Sequence, residues 1–433
     1  MSDSWVLDVP GGCFSNRGGV LHVDDVSVPD LVGRFGSPLY VMSENRIRHN
    51  FKRLHGAFSR LTPFRLYYAV KANTNLAVLG VLRQEGAFAD CSCPAEIYEA
   101  SLAGFGPEKI LYTGNYNSTE EVRYAQAAGV TINFDDAALL GKLEGGRVPE
   151  TVCFRINPGM AKGGKEGLIF AGPDAKFGSP EEVAARGYAE AKKLGAKRFG
   201  IHMMTGSNVL DPKYFPAATS ALMDIAGRIS KKVGMEFEFV NVGGGFGVPY
   251  SPKERELPIE GVASSVVEAF RQKVEQYGMS RPLLAAEPGR FLVADSAVLA
   301  STVCHVKSSS KTFVGVDAGM NTLLRPALYN AYHPVLVANR LGERDDQVAN
   351  ICGQVCENTD VLARDRGLPR VKEGDIIAIF NAGAYGFAMS SQYNNRPRAA
   401  EVLVNGSDAQ VIRRREGFSD LVQGVSVPAR LLT

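Results

Sequence analysis

From about Asn45 to Glu287, short apolar runs alternate with amphipathic stretches. The runs Leu66–Val70, Ile110–Tyr112, Thr131–Phe134, Val152–Ile156, Phe199–His202, Phe239–Val242 and Leu283–Ala286 are brief and rich in β-branched and aromatic residues, which predicts buried strands. Between them, Asn45–Phe58, Leu76–Gln84, Ala95–Leu102, Pro180–Leu194, Tyr214–Val233 and Val262–Tyr277 carry apolar residues at helical spacing. Repeated strand-then-helix units give either a closed parallel barrel or an open doubly wound sheet. Polar and glycine residues separate the two. Lys71, Asp90, Gly114-Asn115, Arg155, His202 with Ser207, Gly243–Gly245 and Glu287 each fall at or just after the C-terminal end of a predicted strand. A barrel gathers all such ends at one mouth, whereas an open sheet concentrates its contacts at one switch point, so the pattern favours the barrel.

Beyond Glu287 the texture becomes β-rich with turn signals: Val298–Val306, Thr312–Val316, Val335–Val337, Ile376–Phe380, Arg398–Val404 and Ala409–Arg413. The N-terminal segments Trp5–Leu7, Val20–Val23 and Leu39–Val41 also read as strands, which predicts that they return to the C-terminal domain and leave the barrel as an insertion. The expected division is residues 1–44, 45–290 and 291–433, the first and last forming one all-β domain.

Composition narrows the partners. The chain has 433 residues, 45% of them hydrophobic, enough for two domains with sizeable cores. Its 48 basic and 46 acidic residues are well mixed, so neither a nucleic-acid stripe nor a lipid-binding cluster is expected. The first ten residues lack a basic region followed by an apolar one, and no apolar stretch reaches the ~18 residues of a membrane span, so a cytoplasmic protein is expected. Seven scattered cysteines and six dispersed histidines form neither a disulfide framework nor zinc-site spacing, and no metal is expected.

Three segments carry candidate chemistry. Lys71 ends the aromatic, β-branched run Tyr67-Tyr68-Ala69-Val70. An ammonium is costly in an apolar surrounding, which makes its neutral amine accessible for Schiff-base chemistry; a lysine snorkelling from a strand end is the alternative. Gly243-Gly244-Gly245-Phe246-Gly247 follows a strand, and its glycines permit backbone amides to approach an anion closely, or simply make a tight turn. Ala286-Glu287-Pro288-Gly289-Arg290 closes the last barrel strand. There a carboxylate can accept a hydrogen bond from a protonated pyridine nitrogen, and the arginine offers a planar fork to an anion; a structural Glu–Arg pair is the alternative.

In this order, Tyr-Ala-Val-Lys-Ala-Asn, Gly206-Ser207, Gly-Gly-Gly-Phe-Gly, Glu-Pro-Gly-Arg, Cys356-Glu357-Asn358-Thr359-Asp360 and Gly383-Ala384-Tyr385 resemble the fold-type III pyridoxal-phosphate decarboxylases, among them those acting on diaminopimelate. The likeness runs from about Gly36 to Leu432. It implies an α/β fold, a pyridoxal-phosphate-binding (β/α)8 TIM barrel with a Greek-key-like β domain, and conversion of meso-2,6-diaminopimelate to L-lysine and carbon dioxide.

The resemblance also implies roles. Lys71 holds pyridoxal 5'-phosphate as a Schiff base, Asp90 lies beneath the site, and Glu287 keeps the ring nitrogen protonated. Ser207, Gly244, Gly245, Gly289, Arg290 and Tyr385 hold the phosphate. Cys356 donates the proton that replaces the lost carboxylate, from the partner subunit of a homodimer with two shared sites. Arg290, Arg325, Tyr329, Glu357 and Tyr385 recognise the far end of the substrate, where two arginines suit a carboxylate and would repel a cation.

Three departures stand out. Met204 occupies the place of a histidine that lies on the cofactor ring in the family, and a thioether packs on an aromatic face but donates no proton. The segment Gly159 to Asp174 is glycine-rich and atypical, either a lid over the mouth or a solvent loop. Cys93-Pro94-Ala95-Glu96 replaces Ser-Gly-Gly-Glu, a change at a helix start. The first two motivate a second reading, a related decarboxylase acting on another amino acid with a distal carboxylate. A catalytically silent protein of this fold is disfavoured because Lys71 and Cys356 are both retained.

Overall fold

The computed structural model describes residues 3–159, 172 and 175–432. The chain divides into two compact units: Arg46–Ala294, and Met1–Asn45 together with Asp295–Thr433.

The first unit is a closed barrel of eight parallel strands. In chain order these are Phe64–Ala69, Phe88–Cys91, Ile110–Tyr112, Thr131–Phe134, Thr151–Ile156, Arg198–Met203, Phe239–Asn241 and Leu283–Ala286. Each pairs with the next, and the last closes on the first through Leu284↔Phe64, Ala285↔Arg65 and Ala286↔Leu66. The seven strand candidates lie within two residues of their observed bounds at each end. The eighth, Phe88–Cys91, was marked only by Asp90 as a strand end and given no bounds, and the helix Thr119–Ala127 was not predicted as an element. Both are short. The helix begins with a reciprocal cap, Glu121 N–H to Ser118 Oγ at 3.1 Å and Ser118 N–H to Glu121 Oε2 at 2.8 Å, which offsets a weak apolar stripe.

Alternation along the strands sorts the barrel interior into layers. Near the start of the strands, Tyr67, Leu111 and Ala285 pack with Phe88 and Leu283. Phe239 fills the adjoining space because Gly200 faces it: a Cβ on Gly200 would stand 2.0 Å from the Phe239 ring. Further along six of the eight strands, the apolar filling gives way to Asp90, Asn133, Arg155, His202, Asn241 and Glu287, all buried. A parallel barrel therefore ends in a polar layer at the mouth its loops enclose.

The second unit is a mixed sheet into which the N-terminal chain is woven. Leu39–Ser43 runs antiparallel to Ala297–Ser308 and parallel to Ala400–Asn405. The order continues through Thr312–Val316, Gln347–Cys352 and Val361–Leu368 on one side and Asp408–Arg413 on the other. Ile376–Phe380 pairs with both Ala297–Ser308 and Val335–Val337. Leu39, Val41, Val298 and Ala378 join one core, while Tyr40, Leu299, Ile377 and Ile379 join another, so the central strands are apolar on both faces.

Trp5–Leu7, expected as a strand, lies in a 3-10 helix, Asp3–Leu7. The cause is Asp3, whose buried carboxylate accepts from Val335 N at 2.9 Å and the Tyr332 hydroxyl at 2.6 Å, with the Arg366 guanidinium 3.4 Å away. Those donors hold the carboxylate in place, and the backbone turns on itself through Asp8 N–H to Trp5 O at 3.1 Å.

Candidate active site

Lys71 follows the first barrel strand in a single 3-10 turn, Val70–Ala72. Its Nζ donates to Asp90 Oδ2 at 3.0 Å. The Lys71 side chain is 42% exposed, whereas Asp90 is fully buried. The lysine is thus not distinguished by burial, as the strand pattern suggested, but by a buried carboxylate partner at the barrel mouth. Burial, and secondarily the charge of Glu287, raise the Asp90 carboxyl above its ordinary range, with Lys71 opposing. The backbone beside Lys71 is tied to the last strand by Ala69 N–H to Pro288 O at 3.3 Å. Gly289 fits against it, since a Cβ there would stand 3.1 Å and 3.0 Å from those of Ala69 and Ala72.

Glu287 is held from two strands. His202 Nε2 lies 2.9 Å from Oε2, and Asn241 Nδ2 donates to Oε1 at 2.7 Å. Burial alone pushes this carboxyl up, but His202, Lys71 and Arg155 together outweigh it and bring it below its ordinary value. Glu287 is accordingly an ionised carboxylate inside the barrel. Asn241 Oδ1 also accepts Gly243 N–H at 3.0 Å, and Gly243 O accepts Glu287 N–H at 2.8 Å, so the same residues fix the start of the glycine loop.

That loop is packed too closely for side chains. A Cβ on Gly243, whose φ is +73°, would lie 2.2 Å from Met203 O; one on Gly244 would lie 2.4 Å from Glu287 O; one on Gly245, φ +92°, would lie 2.8 Å from Gly206 O. The Gly206-Ser207 segment runs alongside, with Val209 N–H to Gly245 O at 2.8 Å and Val248 N–H to Asn208 Oδ1 at 3.0 Å. Met204 Sδ accepts Gly244 N–H at 3.2 Å. Arg290 is buried, donating from Nη1 to the Tyr250 hydroxyl at 2.7 Å and approaching Ser207 Oγ at 3.5 Å from Nη2. Lys71, Asp90, Ser207, Gly244, Gly245, Glu287, Gly289 and Arg290 thus all belong to one end of the barrel unit.

Arg155 extends the polar layer. Its guanidinium stands 4.5 Å over the Phe177 ring, and burial lowers its basicity while Asp135, Glu287 and Asp90 support its charge. Phe177 is placed by the return of the chain to the fifth strand, through Ser179 N–H to Arg155 O and Asn157 N–H to Ser179 O, each 2.9 Å. Of the atypical segment 159–174, only Gly159 and Gly172 are among the described residues; the expectation of a lid falls outside them.

The remaining candidates belong to the sheet unit. Cys356 is exposed, and its backbone N–H donates to Asn394 Oδ1 at 2.6 Å. Glu357 Oε1 accepts from the Tyr393 hydroxyl at 2.7 Å. Asp360, by contrast, is buried and structural: it accepts from Met320 N at 2.6 Å and Val355 N at 2.7 Å. Arg325 is buried with Nη1 2.9 Å from His333 Nε2, and begins the short helix that ends at Tyr329. Tyr385 has φ +57°, an uncommon backbone state for a large side chain.

Sequence reasoning gave no role to His202, Asn241, Tyr250, Tyr393 or Asn394. The signal for the first two was present: both sit two residues beyond an interior position on their strands, as does Glu287. Among the described residues no group of three or more His, Cys, Asp and Glu is arranged to hold a metal, and no helix is long and apolar enough to cross a membrane.

Residues 44–294 match the family described as pyridoxal-dependent decarboxylase, pyridoxal binding domain. A diaminopimelate decarboxylase of Methanothermobacter thermautotrophicus is 47% identical over 420 residues, covering 96% of this chain and 98% of the relative. One from Archaeoglobus fulgidus is 41% identical over 97% of this chain and 100% of its own. The crystal structure of diaminopimelate decarboxylase from M. jannaschii in complex with L-lysine is similar with a TM-score of 0.90 and 32% identity, covering 100% of each chain.

Proposed function

The chain belongs to the pyridoxal-dependent decarboxylases, and within them to the diaminopimelate decarboxylases; from that premise we propose that it converts meso-2,6-diaminopimelate to L-lysine and carbon dioxide. The observation that carries the reading is the convergence, at one end of a closed barrel, of the Lys71–Asp90 pair and the Glu287 carboxylate held by His202 and Asn241.

Pyridoxal 5'-phosphate fits these residues. It needs an amine for its aldehyde, an ionised carboxylate for its ring nitrogen and donors for its phosphate. Lys71, Glu287, and the Gly244, Gly245 and Gly289 amides with Ser207, Arg290 and Tyr385 are of those kinds. The acceptor now facing the Gly244 amide is a thioether, a weak one that an anionic oxygen displaces. When bound, the group supplies an electron sink for the pair released as the carboxylate leaves.

The side chains do the rest. Asp90 orients Lys71 Nζ by accepting its proton in a hydrogen bond and lies ready to follow its change of charge. Glu287 presents an ionised acceptor at the bottom of the site, where low exposure strengthens it. The C–C bond to the carboxylate breaks, its electron pair stays on the substrate, and a proton must replace it. The exposed thiol of Cys356 supplies that proton, steadied by the contact of its backbone with Asn394. Arg325, Arg290, Tyr329 and Tyr385 grip the distal carboxylate, and Glu357 meets the distal amine. Cys356 and Glu357 act in the site of a second copy of the chain, so the working form is a homodimer with two shared sites, a cytoplasmic enzyme.

Met204 favours a second reading, a relative acting on another amino acid with a distal carboxylate. The test is incubation of the cofactor-loaded protein with meso- and LL-diaminopimelate, lysine, ornithine, arginine and glutamate, following carbon dioxide and product. Lysine from the meso isomer alone is expected. Turnover of a different acid, with no lysine from the meso isomer, would move the assignment to the second reading.

A further inference from the structure

His333 is fully buried between two partners of opposite hydrogen-bonding character. Its Nδ1 lies 2.8 Å from the Phe380 carbonyl oxygen, which can only accept, and its Nε2 lies 2.9 Å from Arg325 Nη1, which can only donate. The imidazole therefore donates to Phe380 O and accepts from Arg325. Phe380 N–H in turn donates to Pro334 O at 2.9 Å, so the ring is clasped against the strand Ile376–Phe380. An acceptor of this kind sets where a guanidinium points and, unlike a carboxylate, adds no negative charge beside it.

The backbone that carries the ring is held on both sides. Asp3 Oδ1 accepts from the Tyr332 hydroxyl at 2.6 Å, and Asp3 Oδ2 accepts Val335 N–H at 2.9 Å. The Arg366 guanidinium lies 3.3 Å over the Tyr332 ring, donates from Nη2 to His333 O at 3.2 Å and approaches Asp3 Oδ2 at 3.4 Å. Asp3 and Arg366 are themselves buried. These contacts run without a break from the third residue of the chain to the Arg325 guanidinium. An arginine side chain has several torsions to fix, and a rigid acceptor removes that cost before a ligand arrives.

We propose that His333 is a positioning residue for substrate selection: anchored by Phe380 O, Asp3 and Arg366, it aims the Arg325 guanidinium at the carboxylate on the far end of the substrate. This rests on the reading of Arg325 as part of the distal grip. His333 acts through Arg325, and the N-terminal turn Asp3–Leu7 acts through His333.

Carbon dioxide leaves from one end of the substrate, so the distal carboxylate survives in L-lysine, and cadaverine is lysine without it. Calorimetric affinities of both ligands for the cofactor-loaded, full-length protein isolate the grip. His333→Asn keeps a side-chain N–H near Nδ1 for Phe380 O but withdraws the acceptor from Arg325, whereas His333→Gln keeps an acceptor near Nε2. Lysine affinity should fall about tenfold in the asparagine variant and stay within about threefold of wild type in the glutamine variant, with cadaverine affinity changed by less than about twofold in both. In turnover of meso-diaminopimelate, the asparagine variant should show a raised KM and a kcat changed far less. Asp3→Ala leaves the imidazole in place and loosens the backbone beneath it, and should weaken lysine binding severalfold. Unchanged lysine affinity in His333→Asn would overturn the proposal, as would equal losses for both ligands; where that variant does not fold, unchanged lysine affinity in Asp3→Ala does so. A wild-type protein that binds lysine no more tightly than cadaverine would instead sink the reading of Arg325, whatever the variants do.

Discussion

Adding one methyl group to the glycine loop tests whether close backbone approach builds the site. In Gly244→Ala the new carbon would lie 2.4 Å from Glu287 O and 3.2 Å from its carbonyl carbon. A carbon–oxygen contact relaxes at about 3.3 Å, so loop and strand end must separate by nearly 1 Å. That stretches the 2.8 Å bond from Glu287 N–H to Gly243 O past its useful range. Losing it costs about 1 kcal/mol, and forcing the packing a further 1–3 kcal/mol, roughly 2–4 kcal/mol together. For a unit of this size such a loss lowers the melting temperature by roughly 5–15 °C. Because the shift moves Glu287 relative to Lys71, turnover should fall on the order of 100-fold. Gly80→Ala is the control: Gly80 lies inside the helix Leu76–Gln84 with open space around it, and alanine there should gain about 0.5–1 kcal/mol. Scanning calorimetry of the cofactor-free chains reads the first effect and steady-state kinetics the second, and titration with pyridoxal phosphate should show weaker binding. Melting temperatures equal to within a degree, or undiminished cofactor affinity in Gly244→Ala, would refute the close-approach argument.

Other substitutions probe single links. Cys356→Ala should slow turnover by 10²-fold or more while leaving cofactor affinity within about twofold, measured by steady-state kinetics and absorbance titration; unchanged turnover removes the thiol from the reaction. Tyr393→Phe deletes the hydroxyl that faces Glu357 and should raise the KM for substrate by about tenfold with a smaller change in kcat. Acid unfolding tests Glu287. Its folded carboxyl lies below the ordinary 4.5 despite burial, so its contribution to stability is present above that pH and fades as the pH falls below it. Glu287→Gln should therefore flatten the acid limb of the stability profile below about pH 4.5; an identical limb would show that the carboxylate is not held as described.

The barrel was legible because its strands are short apolar runs whose ends carry polar or glycine residues, a pattern that two periodicities and one topology explain together. The strand Phe88–Cys91 escaped because its four residues hold no β-branched side chain and a buried aspartate interrupts them. Trp5–Leu7 misled for the opposite reason: its apolar residues suit a strand, but a contact over three hundred residues away at Val335 decides its shape. Lys71, Glu287 and the glycine loop were found as isolated motifs. Their wiring through His202, Asn241 and Met204 was not, because it depends on which side chains share the barrel interior at one height. The exposure of Lys71 reversed the desolvation argument while strengthening the case for a functional amine, since a buried carboxylate paired with an exposed lysine serves stability poorly.

The central claim is that Lys71 Nζ is the exchangeable anchor of the cofactor, and borohydride reduction followed by peptide mass mapping tests it most directly. Without substrate, the pyridoxyl mass should appear on the peptide containing Lys71 and on no other; with saturating meso-2,6-diaminopimelate present before reduction, it should leave that peptide. Label on a different lysine, or label on Lys71 that the substrate does not displace, would contradict the account.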